Sequence, residues 1–231
     1  MRRLILILVL IFGVRRLAAD FHCTPRVDIS DLPLVELPTS KTGDRFAVMI
    51  SGDGGWRRID RKVTDELRAA GVPVVGFLAP DYFRTRRTPV ESACALERVI
   101  RHYQLQWRRQ KVILIGYSRG ADVLPFMASR LPEDLRPSVR LIALLGLEPM
   151  IDFKYHSFWL PHLHREPQFP VKPEVEKLRG LNVVCVYGEK ERDSLCQALD
   201  PSTFKIVREP GSHHFAGQYR DVADVILREA K

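Results

Sequence analysis

A chain of 231 residues, 45% hydrophobic and 28% charged, with 14 Gly and 16 Pro, holds enough apolar side chain for a buried core and lacks the bias of collagen, coiled coils or disordered chains. One α/β domain suits that length, since two separate cores would each fall near the lower end of domain sizes. A net charge of +8 invites a polyanionic partner, so where the charges lie decides what it means.

Met1-Arg2-Arg3 precedes an apolar run from Leu4 to Phe12, followed by Gly13, Val14 and then Arg15-Arg16-Leu17-Ala18-Ala19. A basic start, a short apolar centre and small residues before Asp20 describe a secretory signal over residues 1–19, cleaved or kept as an anchor. The run is too short to span a bilayer, which takes about 20 apolar residues. Removing residues 1–19 removes four arginines and no acid, which lowers the charge from +8 to +4 and weakens the case for nucleic acid. Residues 20–43 read as a lead-in, and residues 44–231 as the domain.

From Asp44 onward, β-branched runs alternate with amphipathic segments, the pattern of a mostly parallel sheet covered by helices. Strands are expected over Phe46–Ile50, Val72–Phe77, Lys111–Ile115, Val139–Leu145, Asn182–Tyr187 and Phe204–Val207, about six in all. A helix ends over Val63–Ala70 before Gly71, another opens at Pro89, a third spans Ala121–Leu131, and Tyr219–Ala230 closes the chain.

Met150–Val175 breaks the rhythm with five flanking or internal prolines and an aromatic centre, which reads as an insertion covering part of the domain. Its His156, His162 and His164 have no acid at regular spacing beside them, so no metal is expected.

Gly116-Tyr117-Ser118-Arg119-Gly120 stands between a strand and a helix, the pattern of a nucleophile elbow. Glycines on either side permit the tight turn that lifts the Ser118 hydroxyl above the sheet, and the helix N-terminus favours a developing oxyanion. The order expected after such a serine is acid and then histidine, each beyond a later strand. Glu189 to Asp193 follow one strand and Gly211-Ser212-His213-His214-Phe215 follow the next. Asp193 is preferred to Glu191 as the acid because it leads into the loop's apolar descent, and His213 is preferred to His214 as the base.

Ser51-Gly52-Asp53-Gly54-Gly55-Trp56 follows the first core strand, where an oxyanion loop belongs, so the amides of Asp53 and Arg119 are assigned to the oxyanion hole. Trp56 is expected to wall the substrate pocket. Basic clusters stand at Arg57-Arg58, at Arg84-Arg86-Arg87 and at Arg108-Arg109 with Lys111; the first two follow early strands, at the sheet edge of Ser118, and offer guanidinium groups for an anionic head group. In an oxidising compartment the four cysteines pair. Cys185 and Cys196 bracket a short loop after a strand, which favours their bridge and leaves Cys23 with Cys94.

Ser51–Trp56, Gly116–Pro125, Tyr187–Cys196 and Gly211–Phe215 together resemble the bacterial virulence protein VirJ/AcvB family, over about residues 30–231. The resemblance is to the short form without the extra N-terminal domain of AcvB. It implies a periplasmic protein of the α/β-hydrolase fold from Gram-negative bacteria, linked to virulence and type IV secretion. It further implies hydrolysis of an aminoacylated phospholipid such as lysyl-phosphatidylglycerol at the inner-membrane surface. The expected chemistry is that of a serine hydrolase with Ser118, His213 and Asp193 and without a cofactor; the other reading is a binding or assembly factor for secretion components.

Overall fold

The computed structural model describes residue 23, residues 28–156 and residues 168–231. The expected signal segment and, in the insertion, His162 and His164 lie outside the described residues. In chain order the elements are β1 (Leu34–Leu37), β2 (Arg45–Ile50), α1 (Arg58–Ala69), β3 (Val74–Phe77), α2 (Ala79–Tyr82), α3 (Pro89–Gln106), β4 (Lys111–Tyr117) and α4 (Arg119–Ala128). They continue with β5 (Val139–Leu145), β6 (Met150–Ile151), β7 (Phe169–Pro170), α5 (Lys172–Glu176), β8 (Val183–Gly188), β9 (Lys205–Glu209) and α6 (Tyr219–Glu229).

Seven strands form one sheet in the order β1, β3, β2, β4, β5, β8, β9, parallel except where β1 runs antiparallel to β3. Six of them occupy the β-branched runs. The seventh, β1, lies in the lead-in, where a four-residue Leu-Val-Glu-Leu between Pro33 and Pro38 is too short to show a period. It is held there by pairing Leu34 with Phe77 and Leu37 with Val74. The Cys23–Cys94 disulfide also ties the lead-in to α3, and Arg98 of the same helix donates to the Asp28 carbonyl at 2.8 Å and to Asp31 Oδ2 at 3.2 Å.

Alternate residues of each strand point to opposite faces, so the sheet builds two cores. Phe46, Val48 and Ile50 of β2 and Val112 and Leu114 of β4 pack with Leu96, Ile100 and Phe126 of α3 and α4. Ala47, Met49, Ile113 and Ile115 face the other way, with Ile59, Val63 and Leu67 of α1 and Val222 and Ile226 of α6. The chain leaves β2 toward β3 on one side and resumes with β4 on the other. The C-terminal ends of β2 and β4 therefore flank the point at which open α/β sheets bind ligands.

The prolines of the insertion do prevent a long helix among its described residues. Met150 and Ile151 pair with Pro170 and Phe169 instead, and Phe153 and Phe169 stack edge-on against Phe126 of α4 at centroid distances of 5.2 and 6.1 Å. A second disulfide, Cys185–Cys196, joins β8 to the turn over Leu195–Ala198, as the loop between them required. Disulfides of this kind belong to oxidising compartments. Among the described residues no helix is long and apolar enough to cross a membrane.

Asp60 in the first turn of α1 is buried; its Oδ2 accepts the Arg57 N–H at 2.8 Å while Oδ1 has no partner among the described residues. Burial raises its pKa from 3.8 to about 6. The folded chain thus holds this proton more tightly than the unfolded one. The resulting stabilisation is complete below pH 3.8 and is lost as pH rises through about 6. Asp60→Asn, which keeps an acceptor for Arg57, is expected to raise the melting midpoint at pH 7, by roughly 2–4 °C per kcal/mol regained. It should also flatten the midpoint's pH dependence between those two values, as scanning calorimetry across that range would record.

Candidate functional site

The elbow is built by contact. Ser118 sits at φ 53° and ψ −125°, a conformation that costs a non-glycine residue on the order of 1–3 kcal/mol. It is held by its own N–H donating to Leu145 O at 2.9 Å and its carbonyl accepting from Asp122 N–H at 3.1 Å. A Cβ on Gly120 would lie 2.1 Å from the Ile50 carbonyl oxygen, and one on Gly116 would lie 2.3 Å from the Gly120 carbonyl oxygen. Both glycines are thus required by the closeness of β2, β4 and α4. The half-buried Ser118 hydroxyl is left at the C-terminal edge, in the first-turn field of α4.

His213 borders the same hollow as Ser118, which is about 430 Å³ in volume. Its Nδ1–H donates to Glu191 Oε1 at 2.6 Å, because an ionised carboxylate can only accept. The other oxygen of Glu191 accepts from Gly188 N–H at 2.6 Å, and the Glu191 N–H donates to Gly188 O at 2.9 Å. This tight turn after β8 aims Glu191 at the imidazole. Asp193, the expected acid, is exposed two residues further on and does not reach His213; the partner is Glu191. Hydrogen bonding to Glu191, opposed by burial, raises the His213 pKa above its ordinary value.

His213 and His214 take different partners. Whereas His213 meets the acid, His214 Nδ1 lies 2.8 Å from the Tyr117 hydroxyl and buttresses the loop. One supporting residue escaped the sequence reading. Gly146, just beyond β5, lies beneath the imidazole, and a Cβ there would come 2.7 Å from His213 Cε1. A lone glycine after a strand was its only signal.

The Gly52–Asp53 loop lies against Ser118, as a Cβ on Gly52 would be 3.0 Å from Ser118 Cβ. Ser51 Oγ anchors this loop by accepting from Ala79 N–H at 3.1 Å. Asp53 and Arg119, chosen for their amides, are also joined by their side chains: the Arg119 guanidinium pairs with Asp53 and donates to Asp152 Oδ1 at 3.0 Å. Burial disfavours that charge, yet the two carboxylates hold the Arg119 pKa above its usual value. Trp56 departs from expectation. Its ring packs over Gly76 and borders the adjoining hollow with Arg61 and Lys62, and it does not line the one that contains Ser118.

Ser118 lies between two regions of opposite charge. Arg57 and Arg58 outnumber the single acid, Asp53, in the lining of the hollow that Ser118 shares with His213. On the other side a hollow of about 200 Å³ is lined by Asp53, Asp122, Glu148 and Asp152, with Arg119 as its cation. Asp122 is 3% exposed, accepts the Glu148 N–H at 2.7 Å through Oδ1, and is pushed well above the usual carboxylate range by burial.

Solved structures with the same architecture include Est1E from Butyrivibrio proteoclasticus in complex with ferulic acid, at 14% identity and a TM-score of 0.61, covering 88% of this chain and 98% of that one. The thioesterase domain from the curacin biosynthetic pathway matches at 15% identity and a TM-score of 0.59, covering 84% and 94%. An α/β serine hydrolase without a lid from Xanthomonas campestris matches at 16% identity and a TM-score of 0.52, covering 85% of each chain. At such identities the likeness shows the fold, which is that of the α/β-hydrolases. No curated protein matches the chain. The family model described as "Bacterial virulence protein (VirJ)" matches residues 44–231, most of the chain. On that match, and with the elbow, the acid loop and the histidine loop converging on one sheet edge, the chain belongs to the bacterial virulence protein VirJ family.

Proposed function

We propose that the protein is a serine hydrolase that cleaves the aminoacyl ester of an aminoacylated anionic phospholipid, of which lysyl-phosphatidylglycerol is the example. The observation that carries the hydrolase reading is the Glu191–His213 pair at 2.6 Å, set beside a serine in a strained strand-to-helix turn. In this reading Ser118 Oγ attacks the acyl carbonyl as His213 Nε2 takes its proton. The amides of Arg119 and Asp53 receive the oxyanion. Collapse of the tetrahedral species expels the lipid alcohol, which takes the proton from His213. Water activated by His213 then releases the amino acid and restores Ser118. Glu191 fixes the imidazole tautomer and favours the imidazolium that forms in each half-reaction.

The charge on either side of Ser118 supports the substrate class. The carboxylates of Asp53, Glu148 and Asp152 outnumber the single Arg119 guanidinium and suit an ammonium group on the acyl side. Arg57 and Arg58 suit the phosphate of the leaving lipid. Two disulfides agree with work in the periplasm, next to such lipids.

Release of lysine from lysyl-phosphatidylglycerol is expected from the wild-type chain and is expected to fall by about 10⁴-fold or more in Ser118→Ala. Equal release by both would sink the assigned nucleophile. A folded chain that neither releases lysine nor takes up a fluorophosphonate at Ser118 would belong with the binding factors instead.

Glu191→Gln should lower kcat by about 10²–10⁴-fold, whereas Asp193→Asn should stay within about twofold of wild type. The base form of His213 is the active one and its pKa is raised, so the wild-type rate should fall on the acid side through a value above 6.5. Loss of the Glu191 charge removes the group that favours imidazolium, so the acid limb should move to lower pH in Glu191→Gln. A kcat/KM profile measured for both proteins checks the sign.

A further inference from the structure

We infer that the exposed face of α1 is a docking surface for an anionic lipid bilayer, which brings the mouth of the Ser118 hollow to the membrane. This extends the lipid-ester reading of the site, but it rests on different residues. Arg58, Arg61, Lys62 and Asp65 fall at i, i+3, i+4 and i+7 and form one stripe of α1, opposite the buried Ile59, Val63 and Leu67. With Trp56 and Arg57 they line a hollow of about 520 Å³ that adjoins the one holding Ser118 and His213, the two sharing Arg57 and Arg58.

The stripe gathers three cations on one helix face. Arg84, Arg98, Arg101, Arg119, Arg130 and Arg179 each pair with a carboxylate at close range. Arg58, Arg61 and Lys62 form no close ion pair among the described residues, and the carboxyl that Arg61 acts on, Asp60, is buried behind it. Asp65 is the one acid lining this hollow, and it lies 3.9 Å from Arg68 instead. Arg57 is held differently, by its Nε donating to the Gly54 carbonyl at 2.5 Å, which fixes the head of the stripe to the loop beside the nucleophile. The positive end of the α1 dipole adds to the same field.

Cations left without partners cost little in water and gain most beside a surface of fixed negative charge. Each Lys or Arg close to an anionic leaflet strengthens attachment by about fivefold, and the gain fades within a Debye length. Trp56, partly exposed at the rim and packed at its far side over Gly76, is of the residue type that sits at the head-group level. An extended bilayer matches the stripe better than a single small anion does, because the cations lie along a helix and do not converge on one point.

Co-sedimentation with vesicles of phosphatidylglycerol mixed with phosphatidylcholine, and with vesicles of phosphatidylcholine alone, tests the assignment. The protein used is Ser118→Ala, so that binding is read without turnover, and failure of the hydrolase reading leaves this readout intact. Preferential attachment to the anionic vesicles is expected, falling as salt is added. The double variant Arg61→Gln with Lys62→Gln should bind on the order of twentyfold more weakly. Lys62→Glu gives a second, single-site measure in the same direction.

Lys111→Gln with Arg140→Gln removes the same charge at the opposite end of the sheet and should change binding by less than about twofold. Melting midpoints of all variants serve as the control for folding. Equal attachment to the neutral vesicles, equal loss in the two double variants, or undiminished binding of a folded Arg61→Gln with Lys62→Gln protein would each overturn the inference.

Discussion

The site depends on how closely three backbones approach at the ends of β2 and β4. Gly120 brings the first turn of α4 against the Ile50 carbonyl, and Gly116 lets that turn fold back over its own strand. The strain at Ser118 persists because the parallel ladders from Arg45 to Ile50 and from Lys111 to Gly116 fix both strands before the turn begins. The same junction seats the Gly52 loop on Ser118. The serine and the loop that faces it are therefore positioned by one contact, and a shift in either strand would disturb both.

The remaining parts arrive from the other half of the sheet. β8 and β9 deliver Glu191 and His213 on neighbouring loops, which are joined where Lys190 N–H donates to the Gly211 carbonyl at 2.8 Å. The Cys185–Cys196 bridge closes the acid loop at its base, so Glu191 is carried by a segment with both ends fixed. Electrostatically the edge is divided: carboxylates gather on the α4 and insertion side of Ser118 and guanidinium groups on the α1 side. A net charge taken over the whole chain conceals that division.

The strands and the strand-turn-helix junction at Ser118 were legible because each rests on local pattern. A β-branched run must be buried, and Gly-x-Ser-x-Gly between strand and helix has few other uses. The choice between Glu191 and Asp193 was not legible, since both lie in one short charged loop. The matter turns on a hydrogen-bonded turn from Gly188 that composition does not announce. Trp56 was misplaced for a similar reason: its neighbour Gly76 is distant in sequence, and only the β3 register brings it under the ring. The side-chain link from Asp53 through Arg119 to Asp152 likewise joins three separate segments.

The lead-in guards one edge of the sheet. The family likeness begins at residue 44, but β3 would then become an outer strand with its N–H and C=O groups open along Val74–Phe77. Such an edge is a template for pairing with a second chain. β1, short and flanked by Pro33 and Pro38, closes it with a strand that offers little to a further partner. A fragment cut at the family boundary would keep every residue of the site and yet lose its protection against self-association, so the solubility of this fold begins upstream of its chemistry.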